Sequence, residues 1–180
     1  PYLVEMRVTV ADDADLIQWN LSASVPDGWV VTAFKFPNIA VAAPDSARVI
    51  PPGGWGNEYQ LKKSGNYEAN YPSWSASMQM MMLDWDKGAF YYSPEDRNAC
   101  GKMMRARETG GAVVFSTEVT ASYGWTKNCR FEVPWTVVTG LHPKGWSEAA
   151  LTWYRPFALS TSWGCKTLEE RDIPEWMVEK

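Results

Sequence analysis

A two-residue alternation of apolar and polar side chains runs through most of this chain, and it restricts the fold more than any other feature. Val4, Met6, Val8 and Val10 alternate with Glu5, Arg7 and Thr9. Ile17, Trp19, Leu21, Ala23 and Val25 alternate with Gln18, Asn20, Ser22 and Ser24. A period of two gives a strand with one buried face and one wet face. Pro26-Asp27-Gly28 supplies turn chemistry after this pair, and Trp29 to Phe36 reads as a third strand, ended by Pro37-Asn38. Ile39 to Ala43 is a further short strand.

The alternation continues beyond a long Gly-, Asn-, Ser- and Pro-rich stretch from Pro51 to Ser75, which reads as a loop. From Ser75 to Trp85, Met78, Met80 and Met82 fall on one face and Gln79, Met81 and Leu83 on the other. Both faces are apolar, so this is a central strand, covered on both sides. Asp86-Lys87-Gly88 turns it into Ala89 to Tyr92. Lys102 to Glu108 and Ala112 to Ser122 form another hairpin, with Gly110-Gly111 at its primed turn. Phe131 to Thr139 is the last long strand, and Pro134 marks an edge or bulge within it.

The period then changes. Trp146, Ala149, Ala150, Trp153, Tyr154 and Phe157 lie at helical spacing on one face, and Pro156 is expected to kink or end that helix. The fold class is therefore all-β and mainly antiparallel, a β-sandwich or supersandwich with a C-terminal helical connector. The expected division is a sandwich over 1–143 and a connector over 144–180.

Composition narrows the function. The 180 residues carry a net charge of -4, and no basic stripe appears, which argues against nucleic acid as a partner. No apolar run approaches the roughly 20 residues that span a bilayer, so no membrane partner is expected. The chain opens at Pro1 and closes at Lys180 without a leader pattern, and reads as a module of a longer protein. Cys100, Cys129 and Cys165 are widely spaced; three free, mostly buried thiols are expected, and one disulfide plus a free thiol is the alternative if the protein is exported.

Candidate catalytic chemistry is sparse. Asp84, Asp86, Glu95 and Asp96 cluster at the ends of one hairpin, where two carboxylates could face a glycosidic bond. The simpler reading makes them turn and strand-end acids. His142 is the sole imidazole, and no nucleophile motif accompanies it. No catalytic residue, metal site or cofactor is assigned. Aromatic content carries the stronger signal, with eleven Trp, eight Tyr and six Phe. Trp is rarely fully buried, so eleven indoles exceed what one core hides. Sugars pack their C–H faces on such rings while nearby polar groups take the hydroxyls. The candidate carbohydrate-binding residues are Trp55, Tyr71, Trp74, Trp85, Asp86 and Asn57, with Asn70 nearby.

Several phrases in order carry a family resemblance. Tyr71-Pro72, Ser77-Met78-Gln79-Met80, Gly88-Ala89-Phe90-Tyr91-Tyr92, Glu95-Asp96 and Lys102 form the first set. Gly145-Trp146, Ala149-Ala150, Tyr154-Arg155, Trp163 and Leu168 to Trp176 form the second. Together they resemble bacterial glycoside-hydrolase-like proteins in which an N-terminal β-supersandwich of the galactose-mutarotase-like type precedes a TIM barrel. The resemblance implies a non-catalytic, carbohydrate-associated module, a glycan ligand, a C-terminal catalytic domain of the same polypeptide as partner, and a periplasmic or extracellular location. It also leaves open a sugar-epimerising enzyme on the same scaffold, or a purely structural cap for the barrel. The mutarotase-type catalytic His and Glu do not carry over, because His142 stands alone in another context. Lys144-Gly145 departs from the acidic helix cap expected there.

Overall fold

The alternating segments assemble into two antiparallel sheets with a helical layer outside the larger one. The computed structural model describes residues 2–10, 15–53, 57–60, 65–120, 126–166, 170–171 and 174. Its strands are β1 (Leu3–Val10), β2 (Leu16–Ser24), β3 (Ala33–Lys35), β4 (Ile39–Ala42), β5 (Arg48–Ile50), β6 (Tyr67–Tyr71), β7 (Met81–Trp85), β8 (Gly88–Glu95), β9 (Lys102–Thr109), β10 (Ala112–Thr120), β11 (Thr126–Lys127), β12 (Arg130–Glu132) and β13 (Thr136–His142). The larger sheet runs β11-β12-β2-β13-β8-β7-β5, with β1 on the other side of β2. The smaller runs β3-β10-β9-β6, with β4 also on β10.

Between the sheets lies one apolar cluster. It includes Leu83, Phe90, Tyr92 and Val137 from the larger sheet and Tyr67, Met104, Phe115 and Val119 from the smaller. The opposite face of the larger sheet carries Ile50, Met82, Tyr91 and Val138, which pack against Ala149, Tyr154 and Phe157. These three layers explain the two-sided apolarity of Met80 to Leu83. β7 pairs with β5 and β8, and one of its faces meets the smaller sheet while the other meets the helix.

The helix follows the expected stripe but is not uniform. Helical turns at Trp146–Ala149 and Arg155–Leu159 flank a π-helical segment, Ala150–Tyr154. Pro156 stands in the first turn of the last piece rather than ending the run. It has no N–H to give back to the preceding turn, and the widened turn before it absorbs that loss. The stretch Leu168 to Lys180, where the sequence suggests a new element after Pro174, lies almost wholly outside the described residues.

Five strand expectations change in detail. The central strand read over Ser75 to Trp85 contracts to β7, Met81–Trp85. Trp29 to Phe36 contracts to β3, and Trp29 is largely exposed. The long loop contains β6, whose Tyr67, Ala69 and Tyr71 point inward while Glu68 and Asn70 point out. Phe131 to Thr139 splits into β12 and β13 around Pro134-Trp135. Glu132 lies opposite Ser22 and Val137 opposite Trp19, so the new strand carries extra residues against β2, a bulge at the proline. Finally, all eight residues of β1 are exposed, instead of one face being buried. Val4, Met6 and Val8 do point to the core side, in register with Ala23, Leu21 and Trp19, but the smaller sheet does not reach over them. The Gly110-Gly111 turn is as expected, with both φ angles positive at 59° and 86°.

Gly140 of β13 fixes how closely the helix approaches the sheet. A Cβ there would lie 2.7 Å from the Asp15 carbonyl oxygen and 3.1 Å from the Trp153 ring. We expect Gly140→Ala to cost about 1–3 kcal/mol through overpacking, measured as a shift in urea midpoint. Gly101→Ala, whose added Cβ meets its nearest atom at 3.9 Å, should cost far less.

Candidate functional site

Among the described candidate rings, Trp74 is the most exposed, and its backbone is tightly hydrogen-bonded. Trp74 is 79% exposed at the tip of a tight turn that follows β6. Ser73 and Ala76 exchange both backbone hydrogen bonds at 3.1 Å. Ser73 Oγ donates to the Asn70 carbonyl at 2.5 Å and accepts from the Ser75 amide at 3.2 Å. Tyr67 Oη donates to the Ser75 carbonyl at 2.7 Å. Gly53 abuts the same turn so closely that a Cβ would lie 2.1 Å from the Ser75 oxygen. The local sequence explains this, since small hydroxyl residues bond their own backbone and hold a turn without filling space. The indole is thus presented to solvent with its backbone already fixed.

Tyr71, three residues earlier, belongs to the interior. Its ring is buried in the inter-sheet core and has Lys102 Nζ 4.9 Å from its centroid. Lys102 is itself buried, and donates to Asp96 Oδ2 and Gln79 Oε1, each at 2.8 Å. Trp135, delivered by the β12–β13 bulge, faces the same ammonium at 4.4 Å. Asp96 also accepts the amides of Asn98 at 2.9 Å and Cys100 at 2.7 Å. Gln79 Nε2 donates to the Asp96 carbonyl, and the Gln79 amide donates to Tyr154 Oη of the helix. Burial lowers the Lys102 pKa against the opposing pull of Asp96. Burial and then the Asp96 charge raise that of Tyr71. Among the candidate residues, Tyr71 is therefore closed to a ligand.

Trp85, Asp86 and Asn57 gather around a residue that the helical pattern had assigned to a buried face. Trp146 is half-buried and borders two grooves. One, of about 390 Å³, is lined by Asp84, Trp85, Asp86, Lys144 and Trp146. The other, of about 200 Å³, includes Asn57, Glu58, Met78 and Trp146. Trp74 lines neither of these, and Trp55 lies outside the described residues. Asp86 is exposed and accepts from Ser46 Oγ at 2.8 Å, a bond that lowers its pKa. Asp84 is buried and fully engaged: Arg48 Nη2 donates to it at 2.8 Å, and so does the Trp146 amide at 3.0 Å. It replaces the cap that Lys144-Gly145 lacks, from a neighbouring strand rather than from the adjacent residue.

This arrangement separates the acids that the hairpin had grouped. Asp84 and Asp96 are committed to cations and backbone amides. Asp86 and Glu95 remain, at opposite ends of β8. The strand from Gly88 to Glu95 spans about 23 Å at roughly 3.3 Å per residue, well beyond the roughly 5–10 Å between a glycosidase's two carboxyls. His142 accepts the Lys144 amide at Nδ1 and packs edge-on against Trp153. Cys100 and Cys129 are partly buried, Cys165 is exposed, and none forms a disulfide.

Sequence reasoning missed Gln79 and Trp146. A lone glutamine between Met78 and Met80 was the available signal, because a buried amide in an apolar run must satisfy its hydrogen bonds internally. Trp146 gave none, since only the packing of the 143–146 corner exposes its edge.

The fold is that of an all-β sandwich, two antiparallel sheets with a short helical layer outside the larger one. No family model matches the chain. Over 174 residues, 97% of its length, it is 42% identical to a protein of Bacteroides thetaiotaomicron named "Putative glycoside hydrolase". The matched region is 26% of that protein, so the chain spans about a quarter of the curated relative it matches.

Two expectations follow from the buried charges. Lys102→Met leaves Asp96 uncompensated and should destabilise by about 3–5 kcal/mol, read from denaturant unfolding. Burial raises the Glu95 pKa from 4.5 to about 7. The folded state therefore holds a proton between these values that the unfolded chain has released. The stability contributed is full below pH 4.5 and is lost as pH rises through 7. Unfolding curves from pH 4.5 to 8 should show this decline, and Glu95→Gln should flatten it.

Proposed function

We propose that this chain is a non-catalytic, carbohydrate-associated β-sandwich module of a glycoside hydrolase, and that Trp74 is its principal sugar-stacking residue. The observation that carries the reading is the 42% identity, sustained over nearly the whole chain, to a quarter of a protein bearing a glycoside hydrolase name. Trp74 supports the sugar contact. An indole that is 79% exposed on a turn braced by at least four hydrogen bonds loses little backbone entropy on binding. Its neutral flat face suits the C–H face of a pyranose, and Asp86 and Asn57, on the grooves that Trp146 borders, offer polar partners at a second contact point.

In this proposal bond cleavage belongs to another part of the polypeptide, a TIM barrel following the sandwich. The galactose-mutarotase-like supersandwich type and a periplasmic or extracellular setting belong to the same reading, and so does the alternative of a structural cap on the barrel. The wide separation of Asp86 and Glu95 supports placing catalysis elsewhere.

A glycan array followed by titration of a hit tests this. Trp74→Ala should weaken the bound glycan at least tenfold, about 1.4 kcal/mol, while Trp74→Phe should retain part of the affinity. Silence on every glycan at millimolar concentration, or a Trp74→Ala protein that binds unchanged, would overturn the sugar-binding role.

A further inference from the structure

The core-side face of β1 is built as sandwich interior but has no opposing layer among the described residues. Val4, Met6, Val8 and Val10 stand in register with Ala23, Leu21, Trp19 and Ile17 of β2. Trp19, Leu21 and Ala23 pack against the inter-sheet core, yet Val4 and Met6 one strand further out are 64% and 58% exposed. The apolar stripe carries no charge. The other face of the same strand carries Glu5 and Arg7, with Ser22 and Arg130 beside them, and is a wet surface.

The stripe runs into a groove of about 440 Å³ whose lining includes Tyr2, Val4, Leu21, Trp29, Phe34 and Phe131. Phe34 and Phe131 lie 5.0 Å apart between centroids with their rings tilted by 50°; Phe131 belongs to the core and Phe34 packs against it, so the groove is an open end of that core. The smaller sheet stops short on this side. β3 has only three residues, and Tyr2 and Trp29 close edge-on across the gap at 6.0 Å.

We propose that this groove and the inner face of β1 form the seat for another segment of the same polypeptide: an apolar stretch, extended alongside β3, that widens the smaller sheet until it covers β1. The inference rests on the reading of the chain as a module of a larger protein. It is favoured by the relative, of which three quarters lies outside the match. Continuity with the core gives the occupant its chemistry. It must present uncharged, branched or aromatic side chains to Val4, Met6 and Val8, because a charge placed there would be desolvated without a partner. A second copy joined edge to edge at β1 would extend the larger sheet but would leave this inner face open, so pairing of copies does not answer the same need.

Met6 reports on the seat directly, because thioether oxidation follows exposure. In the full-length polypeptide under native conditions, peroxide should oxidise Met6 at least tenfold more slowly than in the same polypeptide in urea, as slowly as buried Met104. Oxidation of Met6 at close to the urea rate would overturn the proposal. Met6→Lys should lower the melting temperature of the full-length polypeptide by several degrees, whereas Thr9→Lys, on the wet face, should leave it nearly unchanged. Equal effects of the two would also overturn it. Protection that disappears on dilution, together with a dimer by light scattering, would place a second copy in the groove and overturn it too. Failure of glycan binding changes none of these readouts, so the two proposals fail separately.

Discussion

The buried ammonium of Lys102 is the interaction on which the three layers depend. Lys102 opens β9 in the smaller sheet, Asp96 follows β8 in the larger, and Gln79 precedes β7. Gln79 also receives Ser93 Oγ at its carbonyl and gives its amide to Tyr154 of the helix. One charge, one carboxylate and one amide therefore tie both sheets and the helix together. A charge pair in an apolar interior is a costly way to hold layers unless every remaining donor and acceptor is satisfied. Here backbone amides complete Asp96, and Tyr71 and Trp135 close over the ammonium.

From this layering follows an uneven cover. The larger sheet is blanketed at its centre, where β7 and β8 are buried on both faces. At the β5 end, Asp84 leaves the strand to cap the helix and to hold Arg48, which in turn reaches Glu58 at 2.6 Å. At the other end β1 has no cover among the described residues. The molecule is thus finished on one flank and open on the other. The grooves that Trp146 borders lie on the finished flank, and the exposed apolar face of β1 lies on the open one.

The aromatic residues sort by this architecture rather than by their number. Most of the Tyr and Phe rings fill the two clusters; Trp19 and Trp153 follow them as periodic strand or helix residues should, and Trp135 enters from the β12–β13 bulge. Trp74 differs because the turn that carries it is closed by its own serines and by Tyr67, which leaves the indole no core to enter. Tyr71 differs from it in the opposite sense. It lies in the same loop by composition but at an inward position of β6, where Lys102 needs its ring.

What the sequence alone determined was periodicity. Alternation identified the antiparallel β class, the two-sided burial of Met80 to Leu83, the glycine turn at Gly110-Gly111 and the helical stripe from Trp146 to Phe157, because each is a local consequence of backbone geometry. Tertiary structure alone decided which apolar faces found a cover. β1 and β2 have the same pattern, yet one is exposed and the other half-buried, since burial depends on what lies opposite and not on the strand itself. It also decided partners: Asp84 with a helix sixty-two positions later, and Asp96 with Lys102 rather than with Asp86 across a cleft. Sequence spacing fixes distance along a strand, but a carboxylate's role depends on the cation or amide that folding brings to it.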